Sequence, residues 1–400
     1  MTSISSPSDR RTFVSLGLQS VVNAFVYSTY VARLPDIRDE AGLSIAAMGV
    51  VMTVGNLSGF AAMLPSAAVI RRWGSKRVMV VSSVAYVLTL PIIGSSTSPA
   101  MLIAAVVAMM VTNALVDVAV AMQSASFSSR RHYPAMSRLS GLYSLGTVGG
   151  GALAAAIVAA GFDVSVHLFL LAVLLAVALV FVSPGLLPDD EPPAESRRTS
   201  SSTSRAWRAV AVLGLASAFA VPLDIVPGEW ATFRVTDDLG GPQSQAALAF
   251  VAFTTGMTGG RLAGDRATAR LGPTRLLRGA VVVSTAGLVL AASIPAVAVA
   301  MAGFFFAGLG ISVVSPLLTE AAGRTPGPSF TALFVGNRLA GLLTPIAMGT
   351  VAGTPALSVG EAMILLVAPS AALLLLLGAA AAAGARRDRR LDRLGDVPAR

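Results

Sequence analysis

Twelve long apolar runs, parted by short polar segments, organise the chain; they lie near residues 12–32, 44–70, 77–95, 99–127, 139–160, 166–183, 209–230, 244–264, 276–294, 296–319, 329–352 and 359–383. A membrane-crossing helix needs about 20 mostly apolar residues, so each run predicts one span. The pattern breaks once. Residues 184–207 carry Pro184, Pro188, Asp189, Asp190, Glu191, Pro192 and Pro193 and then a Ser/Thr/Arg stretch, the bias of a flexible linker. The organisation expected is a polar N-terminal segment at 1–11, a six-helix bundle at 12–183, the linker at 184–207, a second six-helix bundle at 208–384 and a basic tail at 385–400. The first run follows a polar leader without a small-residue cleavage site, which predicts a span and not a removable signal peptide. The tail alternates arginine with aspartate and is expected to be solvated and partly disordered.

Basic residues fix an orientation for these spans. Twenty-five of the 29 fall on the side of the N-terminus, and Arg33, Arg38 and Arg234 alone fall on the other; Arg338 lies inside the eleventh run. The positive-inside rule then predicts twelve crossings with both termini in the cytoplasm of a bacterial cell, in its inner (plasma) membrane. Composition agrees, because 12% of residues are charged against about 25% in soluble domains. With no cysteine, thiolate metal sites and disulfides are excluded, and two histidines (His132 and His167) argue against imidazole metal sites and histidine triads. The chain has no phosphate-binding glycine loop and no nucleophile motif, so it reads as no enzyme, needs no cofactor and calls for an ion gradient to drive any uphill work. Its net charge of +9 sits in the short loops and points to no nucleic acid partner.

The two halves repeat. A shift of 198 residues lays Asp39-Glu40-x-Gly42 on Asp237-Asp238-x-Gly240, and Arg72-Trp73-Gly74-x-x-Arg77 on Arg270-Leu271-Gly272-x-x-Arg275. Two ungapped matches in equivalent loops predict a tandem duplication of a six-helix unit with parallel halves. The fold class expected is thus an all-α polytopic membrane protein, with twelve transmembrane helices in two six-helix bundles.

Twelve spans, parallel halves and a polar central loop together resemble the major facilitator superfamily over the whole chain. That resemblance implies alternating access, with the substrate site between the halves near the bilayer midplane. Tyr30-Val31-Ala32-Arg33-Leu34-Pro35-Asp36-Ile37, Asp117-Val118-Ala119 with Gln123, Gly141-Leu142-Tyr143-Ser144-Leu145-Gly146 and Gly228-Glu229-Trp230 resemble the YbjJ-like branch, related to fucose permeases. The chain departs from that branch at Ala121, where asparagine is expected, and at Ser140, where histidine is expected. The basic loops resemble the superfamily's inner gate, which makes Arg72, Arg77, Asp265, Arg266 and Arg270 gating candidates, although Arg71 stands where the first loop usually carries aspartate. Arg33 and Asp36 are candidates at the outer end of the first span. The fourth span lacks the arginine, and the fifth the proline, common in drug antiporters.

Ionisable residues at membrane depth are costly and mark function by default. Asp117, midway along the fourth span, is the leading proton-coupling candidate, since a low dielectric disfavours an unpaired carboxylate charge. Pro222 and Pro227 predict a break in the seventh span, and Asp224 and Glu229 beside it are further proton-coupling candidates. Substrate-binding candidates are Asn23, Tyr27 and Tyr30 on one face of the first span, Asn113 and Gln123 in the fourth, Trp230 in the seventh, and Asn337 and Arg338 in the eleventh. Interhelical packing is the competing reading for the amides and tyrosines, and headgroup contact for Trp230 and Arg338. Glycines at 55/59, 146–151, 256–260 and 341/349 read as close-packing faces flanking the interface between the halves. The partners expected are a small-molecule substrate, protons and the lipid bilayer, and a monomer suffices. Proton-coupled transport of a small polar, sugar-like solute leads. Proton-driven efflux of a drug or secondary metabolite follows, suggested by Phe25, Phe250, Phe253 and Phe304 to Phe306, and a non-transporting sensor comes last.

Overall fold

The computed structural model of the chain describes residues 7–131, 135–188, 204–325 and 328–395; residues 1–6, 132–134 with His132, the 189–203 part of the linker, 326–327 and 396–400 lie outside them. Among the described residues the structure is helical. The elements are α1 (Pro7–Ala32), α2 (Leu34–Glu40), α3 (Ile45–Trp73), α4 (Ser75–Gly94), α5 (Pro99–Arg131), α6 (Ala135–Ala159) and α7 (Val164–Val182). They continue as α8 (Ser204–Phe233), a π-helical turn (Arg234–Asp238), α9 (Gln243–Leu271), α10 (Pro273–Ser293), α11 (Val297–Ile311), α12 (Val314–Arg324), α13 (Ser329–Ala352) and α14 (Val359–Gly395).

Ten segments are long and apolar enough to cross a bilayer, one of them formed by α11 and α12 together. The helices α1 and α9, of 26 and 29 residues, have the length but fall outside the ten. Their polarity is the reason: α1 carries Gln19, Asn23, Tyr27 and Tyr30, and α9 carries Thr254, Thr258, Arg261, Asp265 and Arg266. The twelve runs of the sequence thus become ten segments apolar enough to cross and two more polar helices of spanning length.

Two other expectations are corrected. Through Pro222 and Pro227 α8 runs unbroken. Packing against α13, α14 and α9 supports a helix short of two amide donors, and the irregularity falls at its end, in the π-helical turn. The tail, expected to be irregular, continues α14 to Gly395, since its Ala, Arg and Leu are strong helix formers and no proline intervenes before Pro398.

The sequence repeat has a conformational basis. Gly42 and Gly240 both adopt positive φ (65° and 59°), and so do Gly74 and Gly272 (86° and 75°), at turns 198 residues apart in each pair. Side chains resist that region and glycine does not, so each half turns between helices on the same residue.

Helices α1 and α3–α7 pack on one another, as do α8–α14; between these groups α3 lies along α13 and α6 along α9. The closest approach is at Gly49, where an added Cβ would sit 2.6 Å from the Pro345 carbonyl oxygen and 2.8 Å from Gly349 Cα. Gly151 faces Phe250 and Val251 across the other seam, and Asn56 Nδ2 donates to the Gly341 carbonyl at 3.3 Å. Most glycines expected at the interface pack within their own group instead: Gly55 on Val106, Gly146 on Val21 and Ala24, and Gly256 on Phe305.

Candidate functional site

A cavity of about 1340 Å³ separates the two groups. Asn23, Asp117 and Tyr143 line it from α1, α5 and α6, and Asp224, Arg261 and Asn337 from α8, α9 and α13. Its mouth lies among Met136 and Arg138 at the start of α6 and Thr319 and Glu320 at the end of α12. This is the arginine-rich end of the molecule. Away from the mouth the cavity meets a smaller chamber of about 220 Å³, walled by Tyr27, Tyr143, Asp224, Glu229, Phe250, Phe253 and Arg261 among others.

The carboxylates face this space from both groups. Asp117 is exposed to the cavity, and its Oδ1 accepts from Asn23 Nδ2 at 2.8 Å. Its Oδ2 accepts from Asn113 Nδ2 at 3.2 Å, one helical turn earlier on α5. Asp224 is likewise exposed to the cavity, from α8. Deeper in the chamber, Tyr27 Oη donates to Glu229 Oε1 at 2.9 Å, a bond that joins α1 to α8 across the two groups. The second carboxylate oxygen of Glu229 is buried without a hydrogen-bond partner among the described residues.

Beyond Tyr27 and Glu229 the far end is shut by ion pairs. Arg38 on α2 pairs with Asp237 in the π-helical turn, and lies 5.3 Å from the centre of the Phe233 ring. Arg38 also pairs with its neighbour Asp39 at 2.8 Å. Arg33 pairs with Asp36 at 2.9 Å and donates to the Phe162 carbonyl at 3.1 Å, which ties the α1–α2 corner to the α6–α7 turn. In the other group Arg234 pairs with Asp238 at 2.6 Å, and Asp238 accepts from the Val359 and Gly360 amides at the start of α14. Arg38 and Asp237 escaped the reading of the sequence as a pair. Two signals stood there: Arg38 is one of three basic residues on its side, and the repeat lays Asp237 on Asp39.

Several candidates lie elsewhere. Gln123 is buried on α5, donating to Ser75 Oγ and to the Leu187 carbonyl, and accepting from the Leu187 amide at 3.2 Å. It anchors the end of the first group and does not line the cavity. Substituting Gln123→Ala strands those buried groups and is expected to lower stability by about 1–3 kcal/mol, read as a fall in Tm, with ligand affinity unchanged. Trp230 is fully buried against Phe233, 5.1 Å between rings. Tyr30 is buried at the closed end. Phe250 and Phe253 wall the chamber, whereas Phe304 is packed in the core. Arg338 stacks over Phe334 at 5.2 Å and acts on Asp117 from beyond ion-pair distance, while its neighbour Asn337 reaches the cavity. Arg72, Arg77, Asp265, Arg266 and Arg270 are exposed at the arginine-rich end and make no ion pair among the described residues, as fits a side that stands open. Arg261, placed by its sequence neighbours with the loop arginines, lies ten residues inside α9 and lines both spaces.

Residues 16–342 match the Major Facilitator Superfamily, and the chain belongs to that family. It is a transporter of that superfamily by its relatives. An uncharacterised MFS-type transporter of Yersinia pestis is 26% identical over 358 residues, 88% of this chain and 92% of that protein. The membrane protein MosC of Rhizobium meliloti is 24% identical over 374 residues, 90% and 88% of the two chains. Among solved structures, a variant of the nucleoside transporter NupG superposes with a TM-score of 0.74 at 14% identity, over 93% of this chain and 99% of that one, which shows the shared fold.

Proposed function

We propose that this protein is a proton-coupled secondary transporter that moves a small polar organic solute, sugar-like in the leading case, by alternating access. The proposal includes twelve crossings, two six-helix domains at 12–183 and 208–384, both termini in the cytoplasm of a bacterial cell, action as a monomer, and membership of the YbjJ-like branch. One observation carries it: a cavity shared by both helix groups opens at the arginine-rich end and closes at the other through Tyr27–Glu229 and Arg38–Asp237. Such an asymmetry is one of the two states that alternating access requires. By the positive-inside rule the open end faces the cytoplasm.

Protons have carriers along the route. Asp117 and Asp224 border the cavity and Glu229 ends it, and a carboxylate that exchanges a proton as the mouth changes sides couples the gradient to the cycle. Asn23 and Asn113 hold Asp117 by its two oxygens, so removing its charge perturbs proton handling and leaves the helix in place. In proteoliposomes, Asp117→Asn and Asp224→Asn are each expected to lose uphill accumulation under a proton gradient, by tenfold or more, while retaining exchange of labelled for unlabelled solute. Full accumulation by both variants would overturn the coupling. The apolar wall of Phe250 and Phe253 favours efflux of a lipophilic solute as the second reading, and stabilisation by lipophilic cations alone would select it.

A further inference from the structure

We infer that the solute received in the inner chamber carries an anionic group, bound by the Arg261 guanidinium. The inference rests on the transporter reading above and narrows its substrate class.

The arginines away from the open end are held in different ways. Arg33, Arg38 and Arg234 each hold a carboxylate, and Arg338 lies over an aromatic ring. Arg261 differs. It stands ten residues, about 15 Å of helix, inside the end of α9, and its side chain is exposed to the cavity and the chamber. Its hydrogen-bond partner is a neutral hydroxyl: Nη1 donates to Ser144 Oγ at 2.9 Å, across the α6–α9 seam. No carboxylate reaches it within ion-pair distance among the described residues, and Asp224 acts on it from farther off.

A guanidinium stays charged at any working pH, and an unpaired charge at membrane depth is expensive. Its flat fork matches a carboxylate or phosphate with two parallel hydrogen bonds. The chamber around it supplies the rest of a site. The Tyr143 hydroxyl offers a further donor, the Thr147 and Thr258 hydroxyls, which donate to the Tyr143 and Thr254 carbonyls, offer acceptors to the rest of the solute, and Phe250, Phe253 and Met257 give an apolar wall. A volume of about 220 Å³ exceeds the ~150 Å³ of a cavity that accepts benzene, which suits a single ring or a short chain. The ionisable groups bordering the chamber are Tyr27 from α1, Tyr143 from α6, Asp224 and Glu229 from α8, and Arg261 from α9. An anion enters most favourably when Asp224 and Glu229 carry protons, so the solute and the protons proposed above would travel together.

The test is binding by the full chain purified in detergent, followed by thermal stabilisation at pH 6, and it needs no transport. Matched pairs separate charge from shape: glucuronate against glucose, benzoate against benzamide, and lactate against lactamide. At least one acid is expected to stabilise the protein where its neutral partner does not, with an apparent Kd at least tenfold weaker in Arg261→Gln and partly recovered in Arg261→Lys. Equal binding of acid and neutral partner, unchanged in Arg261→Gln, overturns the inference and leaves the transporter reading standing. So does the absence of any acid that binds. Should Arg261 serve only as counter-ion to Asp224, the double variant Asp224→Asn/Arg261→Gln would regain acid binding, and that result also overturns it. Continued loss in a double variant whose Tm without ligand matches the parent supports it. Acid binding without proton-driven uptake would count against the coupling alone.

Discussion

Reversing the charge of Arg38 alone, or of Asp237 alone, is expected to abolish transport, and reversing both together to restore much of it. The pair joins α2, which follows α1 and is tied to the α6–α7 turn through Arg33, to the π-helical turn of the second group, and the two side chains are largely shielded, at 13% and 23% exposure. A charge-assisted hydrogen bond contributes about 1.5–3 kcal/mol, and in the cycle proposed above this one would exist only while the far end is closed. A bias of that size changes a two-state ratio by roughly 10- to 150-fold. Arg38→Glu replaces attraction with repulsion from both Asp237 and Asp39, so the closed far end becomes the minor state. Because the chain has no cysteine, a lone thiol reports that state directly. Tyr30→Cys, buried at 3% exposure in the closed form, is expected to react with a thiol reagent at least tenfold faster beside Arg38→Glu, and to slow again once Asp237→Arg is added. Unchanged reactivity in the single reversal would show that the pair holds nothing shut.

Gly49→Leu is expected to have a comparable effect by a different force. At this seam backbone meets backbone: the added Cβ would lie 2.6 Å from the Pro345 carbonyl oxygen and 2.8 Å from Gly349 Cα. No rotamer relieves a clash with main chain, so α3 and α13 must separate near the far end. Overpacking costs about 1–3 kcal/mol when a core must absorb it, and here the two groups can part instead of straining. Transport should fall more than tenfold and Tyr30→Cys should become reactive, with α-helical content retained. Gly49→Ala should show a smaller version of both. Gly279→Leu serves as the control, because nothing lies within 4 Å of its added Cβ, and it should behave like the parent. Wild-type transport by Gly49→Leu would mean that the α3–α13 contact is not part of the cycle.

How much of this was legible beforehand follows from what a membrane helix writes into its sequence. Length and apolarity write ten of the spans. Repeated loop residues write the duplication, down to the positive-φ glycines at 42, 74, 240 and 272. Asp117, Asp224 and Glu229 stood out because charge at that depth is rare, and the structure brings them to one space. Rotation about the helix axis is not written in the same way. A helix apolar on every side gives no sign of which face meets protein and which meets lipid, so Gln123 and Trp230 were read toward the cavity and are found packed away from it. Arg261 is hidden for the opposite reason: it lies near where the apolar run 244–264 fades and counts among the basic residues of the N-terminal side, yet α9 continues to Leu271 and keeps it inside. The Arg38–Asp237 pair spans 199 positions, and only folding brings such distant residues together.

The two polar helices of spanning length carry a consequence for biosynthesis. Insertion machinery sorts segments into lipid by hydrophobicity, and each charged residue at a helix centre opposes that step by about 2.5–3.5 kcal/mol. Both α1 and α9 fall outside the ten segments apolar enough to cross, and part of the polarity that makes them poor substrates for insertion, Asn23 and Tyr27 on α1 and Thr258 and Arg261 on α9, faces the cavity or its chamber. α1 emerges before the later helices that shelter Gln19 and Asn23, with Arg10 and Arg11 near its start. The chain therefore has little room to accept further polarity on these two helices. Variants that enlarge or recharge the cavity from α1 or α9 will meet a test of assembly during synthesis before they meet any solute, and their abundance in the membrane will record the difference.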